Sequence, residues 1–184
     1  MSVAKRRQGG EKFLKNYAKV IWHVYPFLKA VVKDYEEHIR NKAVLSFESR
    51  TTAERLAEYI AGEIIVKERL QALKWKLDGV VDTLDETEKK LLAIRYFGKR
   101  KLLCEFLKND GGVAWSERKY FRRQNKLCEK LGEALTGVGL TEEVYLREFA
   151  HLHIFKKIAE FLKDGKDERL YLKEKEGFSA ATVD

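Results

Sequence analysis

The sequence predicts an all-α protein folded as a helical bundle, and three observations lead to this fold class. The 184 residues include one proline and 12 glycines, so the chain has few helix breaks and few tight turns. Leucine, lysine, glutamate and alanine are abundant, and these residue types favour helices over strands. Apolar residues recur at steps of three and four, which is the spacing of one helix face. With 45% hydrophobic and 36% charged residues, such helices can bury an ordinary globular core.

The net charge of +8 is concentrated in one short part of the chain. Residues 99–131 contain 10 basic and 4 acidic side chains, whereas residues 1–98 contain 19 and 14, and residues 132–184 contain 8 and 11. A compact positive segment suits a polyanion, because each neutralised phosphate releases counterions and adds affinity that does not depend on sequence. The alternative is a solvated, lysine-rich surface.

The N-terminal half predicts an amphipathic helix from residue 11 to about residue 41, interrupted at Pro26. Because proline lacks an N–H group, either the helix kinks there, or it ends near Val24 and a second helix begins with Pro26 in its first turn. The aromatic residues around the break are expected to form a packed hinge rather than an exposed platform for bases or a partner. They are Trp22, Tyr25 and Phe27.

A connector over residues 42–50 is expected to run extended through Val44, Leu45 and Phe47. Thr51 then offers a helix N-cap, with Glu54 three residues later as its capping-box partner. The helix that follows is roughly 28 residues, or about 42 Å, long and ends at Gly79 or Asp82. A three-helix module alone cannot bury a helix of this length, so it should pack on the first helical pair or on a second subunit in a homodimer.

Residues 82–131 read as three short helices. Asp85 and Glu88 predict a capping box at the start of the first helix, and Gly98 ends it. The second carries Leu102, Leu103, Phe106 and Leu107, and Gly111 and Gly112 supply the turn that follows it. On a helical wheel, the third helix has one apolar side, formed by Tyr120, Gln124, Leu127, Cys128 and Leu131. Its opposite side is formed by Arg118, Lys119, Arg122, Asn125 and Lys126.

This arrangement is typical of a helix-turn-helix whose last helix enters the major groove of DNA. Ser116 is the expected N-cap, so the basic side chains begin in the first turn, where they oppose the helix dipole and favour an anionic partner. Candidate base-reading residues are Arg118, Arg122 and Asn125. Candidate phosphate contacts are Ser116, Lys119, Arg123 and Lys126, together with Lys99, Arg100 and Lys101 at the start of the second helix. The alternative is that six side chains of the third helix form a solvated face; they are Arg118, Lys119, Arg122, Arg123, Asn125 and Lys126.

Two segments, LDETEKKLLAIRYF at 84–97 and WSERKYFRRQNKLCEKL at 115–131, resemble region 4 of sigma-70 family factors. They are more closely similar to the sigma-region-4-like domain of ArpU-type phage transcriptional regulators. The resemblance implies that the first segment precedes the helix-turn-helix and that the second opens the recognition helix for promoter DNA. The whole resemblance, from Leu84 to Leu131, covers about a quarter of the chain. KLLCEFLKNDGG replaces the family's usual Glu-Ile-Ala segment, and the N-terminal half has no region 2 pattern for promoter melting.

Beyond the third helix, Gly137 and Gly139 predict a stop, and Thr141 caps a strongly apolar C-terminal helix with Leu140 and Tyr145 as a hydrophobic staple. This helix should dock on the body or form a dimer contact. The predicted organisation has five segments. They are a disordered basic arm (1–10), a helical region for packing or oligomerisation (11–82), a sigma-4-like helix-turn-helix (83–135), a C-terminal docking helix (140–164) and a flexible tail (165–184).

The functional prediction is a cytoplasmic, non-enzymatic, sequence-specific regulator that binds double-stranded DNA. Cys104 and Cys128 are expected to be buried free thiols, and His151 and His153 point to different helix faces, so no metal or other cofactor is predicted. The chain shows neither a signal-peptide pattern nor an apolar run long enough to span a membrane. The alternative function is a protein-interaction module of the anti-sigma or RNA-polymerase-docking kind, with the aromatic N-terminal helices as its working surface.

Overall fold

A computed structural model describes residues 14–45, 52–98 and 116–163, and within these ranges the chain is helical and contains no strand. This confirms the all-α prediction for the described residues. The helices are α1 (Asn16–Val24), α2 (Leu28–Leu45), α3 (Ala53–Asp82), α4 (Glu86–Tyr96), α5 (Glu117–Gly137), α6 (Glu142–Glu148) and α7 (His153–Lys163).

Pro26 separates α1 from α2 by way of a 3-10 turn over Tyr25–Phe27. The first helix begins at Asn16, later than residue 11, and stops at Val24, as one of the two predicted arrangements requires. Pro26 lies in the 3-10 turn and not in the first turn of α2, because α2 begins only at Leu28. Trp22 is fully buried beside the break. Tyr25 is half-buried, and its hydroxyl donates a hydrogen bond to Asp78 Oδ1 at 2.7 Å. The predicted packed hinge is therefore confirmed.

Helices α2 and α3 form an antiparallel hairpin. The Lys67 amine approaches Glu36 Oε1 at 3.7 Å near the middle of the hairpin. Farther from the hinge, the Lys42 amine lies 5.9 Å from the centre of the Tyr59 ring. These contacts confirm that the long helix packs on the first helical pair.

The connector prediction is wrong at Val44 and Leu45, which belong to α2 rather than to an extended segment; Phe47 lies outside the described residues. The helix continues because no glycine or proline interrupts it and α3 packs along its side. The predicted cap is also displaced. Thr52, not Thr51, is the N-cap residue of α3, and its side chain makes no capping hydrogen bond. Glu54 therefore lies one position too early for a capping box.

Helix α4 begins with the predicted capping box. The Glu88 backbone N–H donates to Asp85 Oδ1 at 2.7 Å, and the Asp85 backbone N–H donates to Glu88 Oε2 at 3.0 Å. Two N–H groups that the helix itself leaves without partners are thus satisfied. The helix ends before Gly98, which has a φ of 67°, as the sequence predicted.

Replacing Asp85 by alanine is expected to lower the free energy of unfolding by about 1 kcal/mol, because it removes the N-cap acceptor. Urea denaturation followed by circular dichroism measures this change. Asp85→Asn is the control, because asparagine retains an acceptor and should stay close to the wild type. Equal losses in the two variants would contradict the capping role.

The C-terminal part departs from its prediction of one helix over 140–164, because residues 142–163 form two helices. Gly139 has a φ of 75° and, as predicted, ends the preceding helix α5. Thr141 caps α6 by accepting from the Val144 N–H at 3.4 Å. A turn over residues 149–152 then separates α6 from α7, and both helices pack on α1. A single straight helix would run past the short α1, and the turn lets both pieces lie against it.

The buried apolar side chains form one hydrophobic cluster, to which all seven helices contribute. Helix α2 contributes Leu28, which lies in its first turn. Trp22 and Phe155 are its largest fully buried members. Phe155 packs against Phe149, with ring centres 5.5 Å apart, and against Tyr145 at 6.1 Å. Helices α4 and α5 are anchored to the same cluster, so the basic surface of α5 rests on a packed body.

Candidate nucleic-acid interface

Helix α5 starts where the sequence predicts, with Ser116 as its N-cap. The Lys119 backbone N–H donates to Ser116 Oγ at 3.3 Å. The first helical residue is therefore Glu117, and the basic side chains of residues 118 and 119 fall in the first turn. Because the N-terminus of a helix carries partial positive charge, these cations add to an already positive end.

The inner side of α5 is held against α4 by polar contacts as well as by apolar packing. Gln124, which is 1% exposed, donates from Nε2 to the Leu91 carbonyl oxygen at 3.1 Å. The same amide nitrogen donates to the Tyr120 hydroxyl at 3.1 Å, a contact within α5 that orients the amide. The bond to Leu91 fixes the rotation of α5 relative to α4 and thereby determines which side chains face solvent.

Two further contacts join the same helices. The Tyr96 hydroxyl lies 3.8 Å from Cys128 Sγ in the buried seam, where burial raises the pKa of Tyr96, as does the adjacent thiol. At the surface, the Lys130 amine contacts Glu88 Oε2 at 2.6 Å. Cys128 is thus the buried free thiol that the sequence predicted, whereas Cys104 lies outside the described residues.

The outer side of α5 forms a continuous polar and basic face. Arg118, Arg122, Asn125 and Lys126 are all exposed, and this set is called the basic face below. Arg118, Arg122 and Lys126 are four positions apart, so they lie in line over about 12 Å of helix, with Asn125 beside them. Residues 117–126 contain five basic side chains and one acidic one. Such a strip presents bidentate and point-charge donors on a single rigid element.

The other predicted contacts are distributed differently. Arg123 is exposed and Lys119 is half-buried, and both also interact with other groups of the chain. Lys99, Arg100 and Lys101 lie outside the described residues, as do the predicted second helix and the turn at Gly111 and Gly112. The structure therefore brings together the predicted contacts of α5 and leaves those of residues 99–101 as predictions.

One residue of this surface was absent from the sequence prediction. Phe121 is 60% exposed at the edge of the basic face, and its ring centre lies 5.4 Å from that of Tyr120. An exposed phenylalanine beside arginine donors can contact the methyl group of thymine or stack on a base. On the helical wheel Phe121 falls at the border between the two sides, so periodicity alone gave no signal for it.

The described residues contain no group of three or more histidine, cysteine, aspartate or glutamate side chains arranged to hold a metal ion. In the same ranges no helix combines the length and apolar character needed to cross a bilayer. A shallow depression beside α6 is lined by Lys15, Thr141, Glu142, Glu143 and Leu146.

The basic face can bind an anion in three ways: through arginine forks, through a lysine point charge and through an asparagine amide. Arginine matches guanine and asparagine matches adenine in the major groove, whereas lysine suits phosphate. Comparisons of the chain with protein-family models, with curated proteins and with solved structures find no match.

Proposed function

We propose that this protein is a non-enzymatic, sequence-specific binder of double-stranded DNA that acts as a bacterial or phage transcriptional regulator with a sigma-region-4-like helix-turn-helix. The observation that carries the proposal is the basic face of α5. Its four members are exposed on one side of the helix, while Gln124 and the buried seam lock the other side. A rigid helix with this division is the element that helix-turn-helix proteins place in the major groove.

In the proposed mechanism, the N-terminal half of α5 enters the major groove. Arg118 and Arg122 donate to guanine edges, and Asn125 pairs with adenine. Phosphate contacts from Ser116, Lys119, Arg123 and Lys126 set the register, and residues 99–101 are the proposed additional contacts. Phe121 at the edge of the face adds an apolar contact that can distinguish thymine by its methyl group.

The charges of α5 favour a basic face that binds an anionic partner over one that contacts only solvent. Basic side chains in the first turn oppose the helix dipole, at a cost of a few tenths of a kcal/mol each. A phosphate placed there is attracted by both the side chains and the helix terminus. The charge pattern is thus unfavourable for the isolated helix and favourable for the complex.

Docking to RNA polymerase or to another protein is the competing function, and its predicted working surface was the aromatic part of the N-terminal helices. That surface is packed, because Trp22 is fully buried and Tyr25 and Phe27 are half-buried against the core. The described residues therefore favour DNA as the partner. Binding to duplex DNA that is weak and insensitive to sequence would support the competing function.

Selection of bound sequences from a random duplex pool at about 0.15 M salt tests the proposal, because screening at this ionic strength suppresses generic charge attraction. Enrichment of one motif is the expected result. A matched selection with Asn125→Ala should lose the preference for adenine at one position of that motif. A pool that enriches no sequence would reject sequence-specific binding.

Replacing Arg122 by alanine is expected to weaken binding to the selected site by about 1–3 kcal/mol and to relax base preference at one position. Lys119→Ala is the matched comparison, because loss of a phosphate contact should weaken specific and random duplexes alike and reduce the salt dependence of binding. Titrations on both duplexes at several salt concentrations measure the difference. Equal losses on both duplexes for Arg122→Ala would remove Arg122 from the base-reading set.

A further inference from the structure

The longest helix, α3, is apolar on two opposite faces. Its inner face is buried through Leu70, Leu73, Leu77 and Val80. Its outer face is exposed and carries a line of apolar side chains, called the outer stripe below. The outer stripe consists of Ala57, Ala61, Ile64, Ile65, Ala72 and Trp75.

The outer stripe is a large apolar feature of the described surface. Trp75 is 66% exposed and Ile65 is 48% exposed. The stripe follows one helix face over about 27 Å and is interrupted once, by the exposed Glu68 between Ile65 and Ala72. Core packing accounts for the inner face only, and an apolar face of this length on the solvent side marks an interaction surface.

We propose that a second copy of this chain covers the outer stripe, with the two α3 helices running antiparallel about a two-fold axis near Glu68 and Arg69. A two-fold interface uses the same patch on both subunits, so the patch must be complementary to itself. The side chains of the outer stripe meet this requirement in their sizes, and the charged side chains at its edges meet it in their signs.

Large residues on one side of the proposed axis lie level with small residues on the other. With the axis between residues 68 and 69, the side chain of Trp75 lies within about 1.5 Å of the level of Ala61 of the second copy. Ile65 likewise lies level with Ala72. The two alanines leave room for the larger side chains opposite them, and this room allows the two helices to approach closely.

Charges at the edges of the stripe are arranged in the same way. Glu58 and Lys76 are exposed on one flank, at similar distances on either side of the axis. In the antiparallel pair, each Glu58 faces Lys76 of the other copy with an axial offset of about 4.5 Å, which the two long side chains can bridge. Around the axis, two copies of Glu68 and two of Arg69 form a cluster with no net charge.

The charge of α3 also distinguishes a second copy from a nucleic acid. The helix carries five basic and six acidic side chains, in a chain whose overall charge is +8. A polyanion is therefore not attracted to α3, whereas two such helices do not repel each other by net charge. The surface proposed for the second copy is thus chemically different from the basic face of α5.

The proposed dimer is expected to be weak. One face of one helix offers less area than the roughly 800 Å² per partner of a standard stable interface. A dissociation constant on the order of 10 µM is therefore expected. Sedimentation velocity of the full chain from about 1 to about 200 µM, without DNA, spans this range and should show a monomer converting to a dimer.

Trp75→Glu places two charges within the apolar stripe and should keep the protein monomeric throughout this range. Because Trp75 is mostly exposed, the circular dichroism spectrum and the melting temperature should stay those of the wild type. Leu146→Glu is the matched control, since Leu146 is 61% exposed on α6, away from the stripe, and this variant should dimerise normally. A wild-type chain that stays monomeric at about 200 µM, or a dimer that persists in Trp75→Glu, would overturn the proposal.

A charge exchange tests the antiparallel arrangement itself. Glu58→Lys and Lys76→Glu should each weaken dimerisation about tenfold, because each replaces two attractive pairs by two repulsive ones. The double variant should restore wild-type dimerisation. Within one chain the two residues are about 27 Å apart on the helix, so only contact between two copies can produce the restoration. A double variant as weak as the single variants would exclude the proposed arrangement.

Discussion

Replacing Phe155 by alanine is expected to lower the free energy of unfolding by about 3–5 kcal/mol. The side chain is fully buried where α7 meets α6 and α1, and its ring packs on Phe149 and Tyr145. Truncation removes the transfer free energy of the ring and leaves a cavity that rigid helices cannot close. Urea denaturation followed by circular dichroism measures the loss.

Phe121→Ala makes the same chemical change at an exposed position and serves as the control. Phe121 is 60% exposed, so its removal should change the free energy of unfolding by no more than about 0.5 kcal/mol. The pair separates burial from residue type, because only the environment of the ring differs. If both variants lost the same stability, α7 could not be docked on the core as described.

Reversing three charges of the basic face is expected to have the largest effect on DNA binding. Arg118→Glu, Arg122→Glu and Lys126→Glu together should weaken binding to the selected duplex by at least about 3 kcal/mol, or roughly a hundredfold, since each contact contributes about 1–3 kcal/mol. The three residues are exposed, so the fold should be retained. Fluorescence anisotropy with a labelled duplex measures the affinity, and circular dichroism checks the fold.

A second triple variant controls for net charge. Lys15→Glu, Lys156→Glu and Lys163→Glu change the charge of the chain by the same amount at exposed positions outside α5. If DNA docks on the basic face, this variant should bind the selected duplex much more tightly than the first, with only the modest loss that long-range attraction predicts. Similar affinities for the two triple variants would show that binding depends on net charge and not on α5.

Local signals explain why several boundaries could be predicted from the sequence. The capping box of Asp85 and Glu88, the N-caps Ser116 and Thr141 and the stop at Gly139 all depend on groups within four residues of one another. Such interactions form in the helix itself, whatever the rest of the chain does. The same reasoning separated the buried and exposed sides of α5, because its helical period fixes which residues share a side.

Two of the predictions that proved wrong concern places where tertiary packing overrides a local pattern. Val44 and Leu45 have the β-branched and apolar character of a strand or connector, yet they extend a helix that packs along α3. Residues 140–164 keep a helical period throughout, yet the chain turns at 149–152 so that α6 and α7 can both lie on α1. Periodicity shows which residues can share a helix face. It does not show how long the neighbouring helix is, and therefore where the chain has to turn.

The sequence by itself determined the all-α class of the described residues, the capped starts of α4, α5 and α6, and the basic face of α5, because these follow from backbone capping and helical period. Only the tertiary structure decided that Gln124 and the Tyr96–Cys128 contact lock that face outward, that Phe121 lies exposed at its edge, and that one side of α3 remains apolar in solvent. These features depend on which helices pack together and on how much of each helix they cover, and both are long-range properties of the folded chain.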